Sequence, residues 1–173
     1  RWIVVGKAAR IPVHNSEVTS IDASGQDLGP GEVTALAAAI STDAVLARVS
    51  VLSNPIGADG ADALIQVFEQ NTNLRTLLGI EEGVTEVNLS EKNVDPGQAK
   101  ILASEMKAGR AAAVIASLSL KGNSPCGRIS RDNDGRGPWL PGKELEGWIA
   151  LCAALATSKT ITHLDVSDCL LGS

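Results

Sequence analysis

The sequence predicts an α/β solenoid, in which short parallel strands line a curved inner face and helices pack outside. Three observations predict it. The pattern apolar-x-x-apolar-x-apolar-x-x-polar-x-apolar occurs five times. A helical half follows: Leu36, Leu64 and Leu102 stand ten residues after the polar position, and Ile40, Phe68 and Met106 fourteen after it. A glycine opens that half in each of these copies: Gly31, Gly60 and Gly97.

Residues 1–17 do not fit the pattern and are expected to form a cap or partial repeat. Pro12 argues against a helix there. The array is expected over 18–173 in about five units. The first copy reads Val18, Ile21, Ala23, Gln26, Leu28, and the second Leu46, Val49, Val51, Asn54, Ile56. The 28 residues from Ile21 to Val49 set the basic period. The third copy is Val84, Val87, Leu89, Lys92, Val94, delayed by an insertion near 77–83 that restarts the register. The fourth is Ile115, Leu118, Leu120, Asn123, with Pro125 at the last place. Its helix should bury Leu145, Trp148, Ile149, Cys152 and Leu155, after an insertion near 124–142. The fifth is Ile161, Leu164, Val166, Cys169, Leu171. At the turn after each strand, an inward amide such as Asn54 or Asn123 can satisfy backbone groups of adjacent coils. Gln26 can reach partly, and Lys92 departs from the pattern.

Composition narrows the function classes. The chain has 173 residues, 44% hydrophobic and 20% charged, which excludes a disordered segment. A net charge of −5 without a basic stripe argues against nucleic acid. No apolar run approaches the ~18–20 residues that span a bilayer, so no membrane span is expected. Three Trp, one Phe and no Tyr leave little with which to build an aromatic cofactor pocket. Cys126, Cys152 and Cys169 are odd in number and unevenly spaced, which predicts reduced thiols. The expected compartment is cytoplasmic, or a plastid-type organelle after transit-peptide removal. The start at Arg1 suggests a fragment or a processed product.

With V-S-V-L-S-N-P-I-G at 49–57 and L-x-V-S-x-C-L-L-G at 164–172, residues 18–173 resemble the ribonuclease-inhibitor-type leucine-rich repeats. The resemblance implies a horseshoe of strands and helices. It also implies a protein-binding module, since some members act as inhibitors, sensors or regulators of small GTPases.

No residue set predicts catalysis, and no cofactor or metal is expected. Gly137 to Lys143 fits G-x-x-x-x-G-K, but Pro138 and Pro141 remove donors that a phosphate cradle needs. Glu144 also stands where magnesium needs Ser or Thr. The stretch Asp132-x-Asp134-Gly135 lacks the bidentate Glu of a calcium loop, and His14 and His163 have no ligand partners at metal spacing. Cys152 and Cys169 read as core residues. Cys126, in the insertion, is the one plausible reactive thiol, with no base beside it.

Two surfaces remain. The 124–142 insertion gathers Arg128, Arg131, Arg136, Trp139 and Leu140 in an otherwise acidic, aromatic-poor chain, and is the expected partner contact. Trp139 either anchors a partner or folds back over an apolar edge. The concave face is the weaker candidate, with Arg48, Glu86, Lys121, His163 and Asp165 among many serines. The apolar end after Leu171 is expected to be continued by further repeats or covered by a partner. The expected function is non-enzymatic protein–protein interaction, as a scaffold or accessory subunit of a larger assembly. The alternative is activation of a small GTPase.

Overall fold

Alternation of apolar and polar residues over three-residue stretches produces very short strands, and the leucine-spaced stretches between them produce helices. A computed structural model describes residues 2–5, 9–12, 17–130, 139–142, 144–169 and 171. The strands are β1 (Trp2–Val5), β2 (Ala9–Pro12), β3 (Ser20–Asp22), β4 (Arg48–Ser50), β5 (Glu86–Asn88), β6 (Ser117–Ser119), β7 (Arg128–Ser130), β8 (Trp139–Pro141) and β9 (His163–Asp165). The helices are α1 (Pro30–Ile40), α2 (Gly57–Gln70), α3 (Pro96–Ala108) and α4 (Glu146–Thr157), with a 3-10 turn at Ala111–Val114.

Strands β3 and β4 pair in parallel with Ile21 beside Val49, and β5, β6 and β9 pair in parallel with Val87, Leu118 and Leu164 in line. β1–β2 and β7–β8 are antiparallel pairs. The expected solenoid, with one continuous inner sheet, is therefore corrected. The parallel strands form two separate sheets, of two and three strands, too few in either for a leucine-rich-repeat solenoid. The fold is α/β with four α-helices among the described residues.

The break lies at 76–80 and has a physical cause. The N–H groups of Val49 and Val51 donate to the carbonyls of Thr76 and Leu77 at 3.0 Å, so a partial third strand begins. It goes no further, because the buried Glu105 carboxylate of α3 accepts from the N–H groups of both Leu77 and Leu78. Gly79, at φ +72°, turns the chain back so that its N–H donates to Val49 O at 2.8 Å. The insertion near 77–83 thus does more than restart a register: Leu77, Leu78 and Ile80 are core residues.

Helix placement follows the small residues. Pro96 opens α3 behind Asp95, which accepts from Gln98 N at 2.7 Å while its own N–H donates to Gln98 Oε1. A side chain at Gly97 would collide with the Gly57 carbonyl oxygen, and one at Gly147 with that of Pro96. Glycine is what lets each helix start directly against its predecessor. A single core runs through both sheets, with Phe68, Leu36, Leu64 and Leu102 fully buried beneath them.

The two inward amides work as their position requires. Asn54 accepts from Leu28 N at 3.0 Å and donates to Ala23 O and Val51 O, while Asn123 accepts from Val94 N and donates to Leu89 O and Leu120 O. Cys169 takes the same place in the last turn, with Sγ 3.0 Å from Leu120 O. Gln26 makes a local bond to Ser24 O, the one bond of its side chain among the described residues.

Candidate functional site

Helix α4 is apolar nearly all round, and this shapes the site. Gly147, Leu151 and Ala154, at i, i+4 and i+7, are buried against α3. A second stripe at the same spacing, Leu145, Ile149 and Cys152, faces out, with Leu145 45% and Ile149 62% exposed. The expectation that this second stripe is buried, Cys152 with it, is corrected: α4 has a neighbouring helix on one side only among the described residues. Trp148 and Leu155 are half-buried.

β9 is open in the same way. Leu164 is 43% exposed, whereas its counterparts Leu118 and Val49 are buried, at 1% and 0%. On the closed side His163 N donates to Ala116 O at 3.0 Å, and Asp165 O accepts from Leu120 N at 2.8 Å. In a ladder, successive residues turn their main-chain groups to opposite sides, so those of Leu164 face outward. Together β9 and α4 form an apolar edge, on which the Leu164 main-chain groups have no strand partner among the described residues.

Polar residues rim that edge. Lys121, His163 and Asp165, expected on the concave face, come together on β9 and the turn after β6. Asp165 accepts from Ser167 Oγ at 2.6 Å and Ser119 Oγ at 3.2 Å, and these bonds, that to Ser167 foremost, hold its carboxyl below the usual range. Lys121 Nζ pairs with Asp168 at 3.5 Å. Arg48 stands apart on the other sheet, bound to Glu81 at 3.0 Å and Ser20 at 3.3 Å. Glu86 is exposed on β5. The five concave candidates therefore do not form one cluster.

The insertion candidates divide as well. Arg128 opens β7 and is exposed, and Trp139 and Leu140 lie in β8, paired with Ser130 and Ile129. Arg131 and Arg136 lie outside the described residues. Cys126 is fully buried and its burial raises the thiol pKa, which corrects the expectation of a reactive thiol. Beside β7 runs a polar groove of about 400 Å³, bordered by Asp27, Asn54, Asp95, Asn123 and Arg128. Its buried amides are committed to backbone groups, and Asp95 caps α3, its carboxyl raised by burial.

Glu105 escaped the sequence reading. It accepts from Thr76 Oγ1 at 3.0 Å besides the two backbone donors, and burial pushes it up to about 7. The signal was there: Gln98, Ile101, Leu102 and Glu105 share the apolar stripe of α3, and a charge on such a stripe needs buried partners. Among the described residues no group of three His, Cys, Asp or Glu is placed to hold a metal, and no helix is long and apolar enough to cross a membrane.

Set against known proteins, the chain matches no protein-family model, and no curated protein matches it at a significant level.

Proposed function

We propose that the chain is a non-catalytic protein-binding module, a scaffold or accessory subunit of a larger assembly, and that it binds through the β9–α4 edge. One observation carries this reading: α4 has two apolar stripes at identical spacing, and only one of them is buried. Contiguous exposed apolar surface beside a polar rim is the usual signature of a contact site. Here it coincides with outward main-chain groups on β9, which a partner strand can use. The exposed Cys152 thiol and the absence of any disulfide among the three cysteines support a reducing, cytoplasmic setting.

The test is capture from source-cell lysate with three forms: the intact chain, Ile149→Asp, and a deletion of residues 130–141. A partner held by the intact chain and lost by Ile149→Asp supports the edge. Loss on the deletion alone moves the contact to the insertion that carries Arg128, Trp139 and Leu140. A partner held by all three forms refutes both surfaces.

A further inference from the structure

We propose that residues 76–83 form a latch over the edge of β4, and that the latch opens when the Glu105 carboxyl gives up its proton. The latch lies between the two parallel sheets and does not depend on the β9–α4 contact.

The segment is tied on both sides. Towards β4, the carbonyls of Thr76 and Leu77 accept from Val49 N and Val51 N at 3.0 Å, and Gly79 N donates to Val49 O at 2.8 Å. Towards α3, the N–H groups of Leu77 and Leu78 end on Glu105 Oε1. Thr76 gathers the turn: its Oγ1 accepts from Leu78 N and Ile80 N at 3.1 Å and lies 3.0 Å from Glu105 Oε2. The outer ties are exposed ion pairs, Arg48 with Glu81 at 3.0 Å and Arg75 with Glu82 at 2.7 Å, and pairs of that kind contribute little. Gly79 and Gly83, at φ +72° and +83°, bracket the outer turn, and glycine passes between backbone conformations at little steric cost. The buried carboxyl group is therefore the polar grip that holds the segment against α3.

That grip suits the neutral acid. Oε2 can then donate to Thr76 Oγ1 while Oε1 goes on accepting from Leu77 and Leu78, so no contact is lost. The ionised form also finds donors, but it places a full charge on a residue only 1% exposed. The cation bearing on it is Arg110. That guanidinium is already committed, because Nη1 donates to the carbonyls of Phe68, Asn71 and Leu74 and the group stacks on the Phe68 ring at 4.1 Å. Arg75 and Glu69 of α2 bear on Arg110 in turn, with opposite effects. Water stabilises the carboxylate better than this surrounding does, and opening the latch admits it.

Glu105 titrates at about 7 in the closed state, against an ordinary 4.5. The closed state thus binds the proton more tightly. It keeps its full stability below about pH 4.5 and loses it as the pH rises through about 7. Between those limits the opening equilibrium rises about tenfold per pH unit, roughly 100-fold or more in all. Burial of Leu77, Leu78 and Ile80 keeps the latch shut at low pH. Opening releases the N–H groups of Val49 and Val51, so the first sheet gains an unpaired edge in the middle of the chain.

The experiment is native-state hydrogen exchange on the whole chain at about pH 4.5 and about pH 7.5, read amide by amide and corrected for the intrinsic pH dependence of exchange. The amides of Val49, Val51, Leu77 and Leu78 should exchange faster at both values than those of Leu89 in the second sheet and Leu102 in α3. That difference marks an opening separate from global unfolding. The opening should increase roughly 100-fold or more at the higher pH. Glu105→Gln, neutral at every pH, should remove the increase, with circular dichroism to verify its fold. Should the substitution unfold the chain, the wild-type comparison decides alone. Protection of the latch amides equal to that of Leu89 and Leu102 at both pH values overturns the proposal, since only global unfolding then exposes them. Exchange that does not rise with pH overturns it too, and so does a rise that persists in a folded Glu105→Gln.

Discussion

Replacing Glu105 by Gln tests the account of the sheet break, because the amide imitates the neutral acid in shape. The folded chain holds Glu105 at about 7, against an ordinary 4.5, because burial outweighs the three donated hydrogen bonds and the nearby Arg110. A folded value above the unfolded one means that the folded state binds the proton more tightly. The associated stability is complete below about pH 4.5 and is lost as pH rises through about 7. The gap between the two values corresponds to about 3 kcal/mol. Glu105→Gln should therefore match the parent at about pH 4, where both side chains are neutral. It should exceed the parent by about 3 kcal/mol at about pH 8. Urea unfolding at the two pH values reads this directly. With a slope of about 2–3 kcal/mol per molar, the midpoints should separate by roughly 1 M at the higher pH only. Parallel pH dependence in the two proteins would refute the reasoning, since the ionisation of Glu105 would then cost folding nothing.

Two further changes probe other parts of the scaffold. Asn54→Ala leaves Leu28 N without its acceptor and removes the donor to Ala23 O and Val51 O, so a loss of about 2–4 kcal/mol is expected in urea unfolding. Gly147→Ala puts a carbon against the Pro96 carbonyl and should force α4 off α3, lowering stability by about 1–3 kcal/mol. Amide exchange should rise first in 146–157.

Strand pairing is legible in the sequence to a useful degree. Ile21 and Val49, Val87 and Leu118, and Leu118 and Leu164 are equivalent by repeat spacing, and they are Cα partners in the sheets. Such spacing reports where one strand can lie beside the next. It carries no information on whether the hydrogen bonds continue across every gap. Continuity fails at 77–78 because of Glu105, some 28 residues further along, a tertiary contact that no local pattern encodes. α4 is a different case. When Leu145, Ile149 and Cys152 compete with Gly147, Leu151 and Ala154 at the same spacing, periodicity identifies two stripes and only packing on α3 selects one. Lys121, His163 and Asp165 are legible as surface candidates because strand alternation decides which way they face. Their separation from Arg48 is not, since it follows from the split sheet. Cys126 misleads for a related reason: polar loop composition around it says nothing of a backbone that buries the thiol, with Sγ 4.0 Å from Leu171 O.

Among the described residues the two sheets end differently at their outgoing edges. Unpaired strand groups invite association, so folds generally cover or block them. The first sheet is blocked from within, since the Leu77 and Leu78 donors that would recruit another strand end on a carboxylate from α3. That arrangement costs the burial of an acid, and it removes an adhesive edge from the middle of the molecule. At β9 no buried side chain among the described residues plays that part. Asp165 and His163 point along the face of the sheet, and the Leu164 groups are left facing out with an apolar helix stripe beside them. A chain that spends a buried carboxylate to close one edge has the means to close another. Transplanting the device is a direct check on which edge is meant to stick. Leu164→Pro deletes the outward donor of β9, as Glu105 occupies those of Leu77 and Leu78, and it should abolish edge association while the first sheet, read by amide protection at Val49 and Val51, stays intact. Persistence of the association would mean that the α4 stripe binds without the strand.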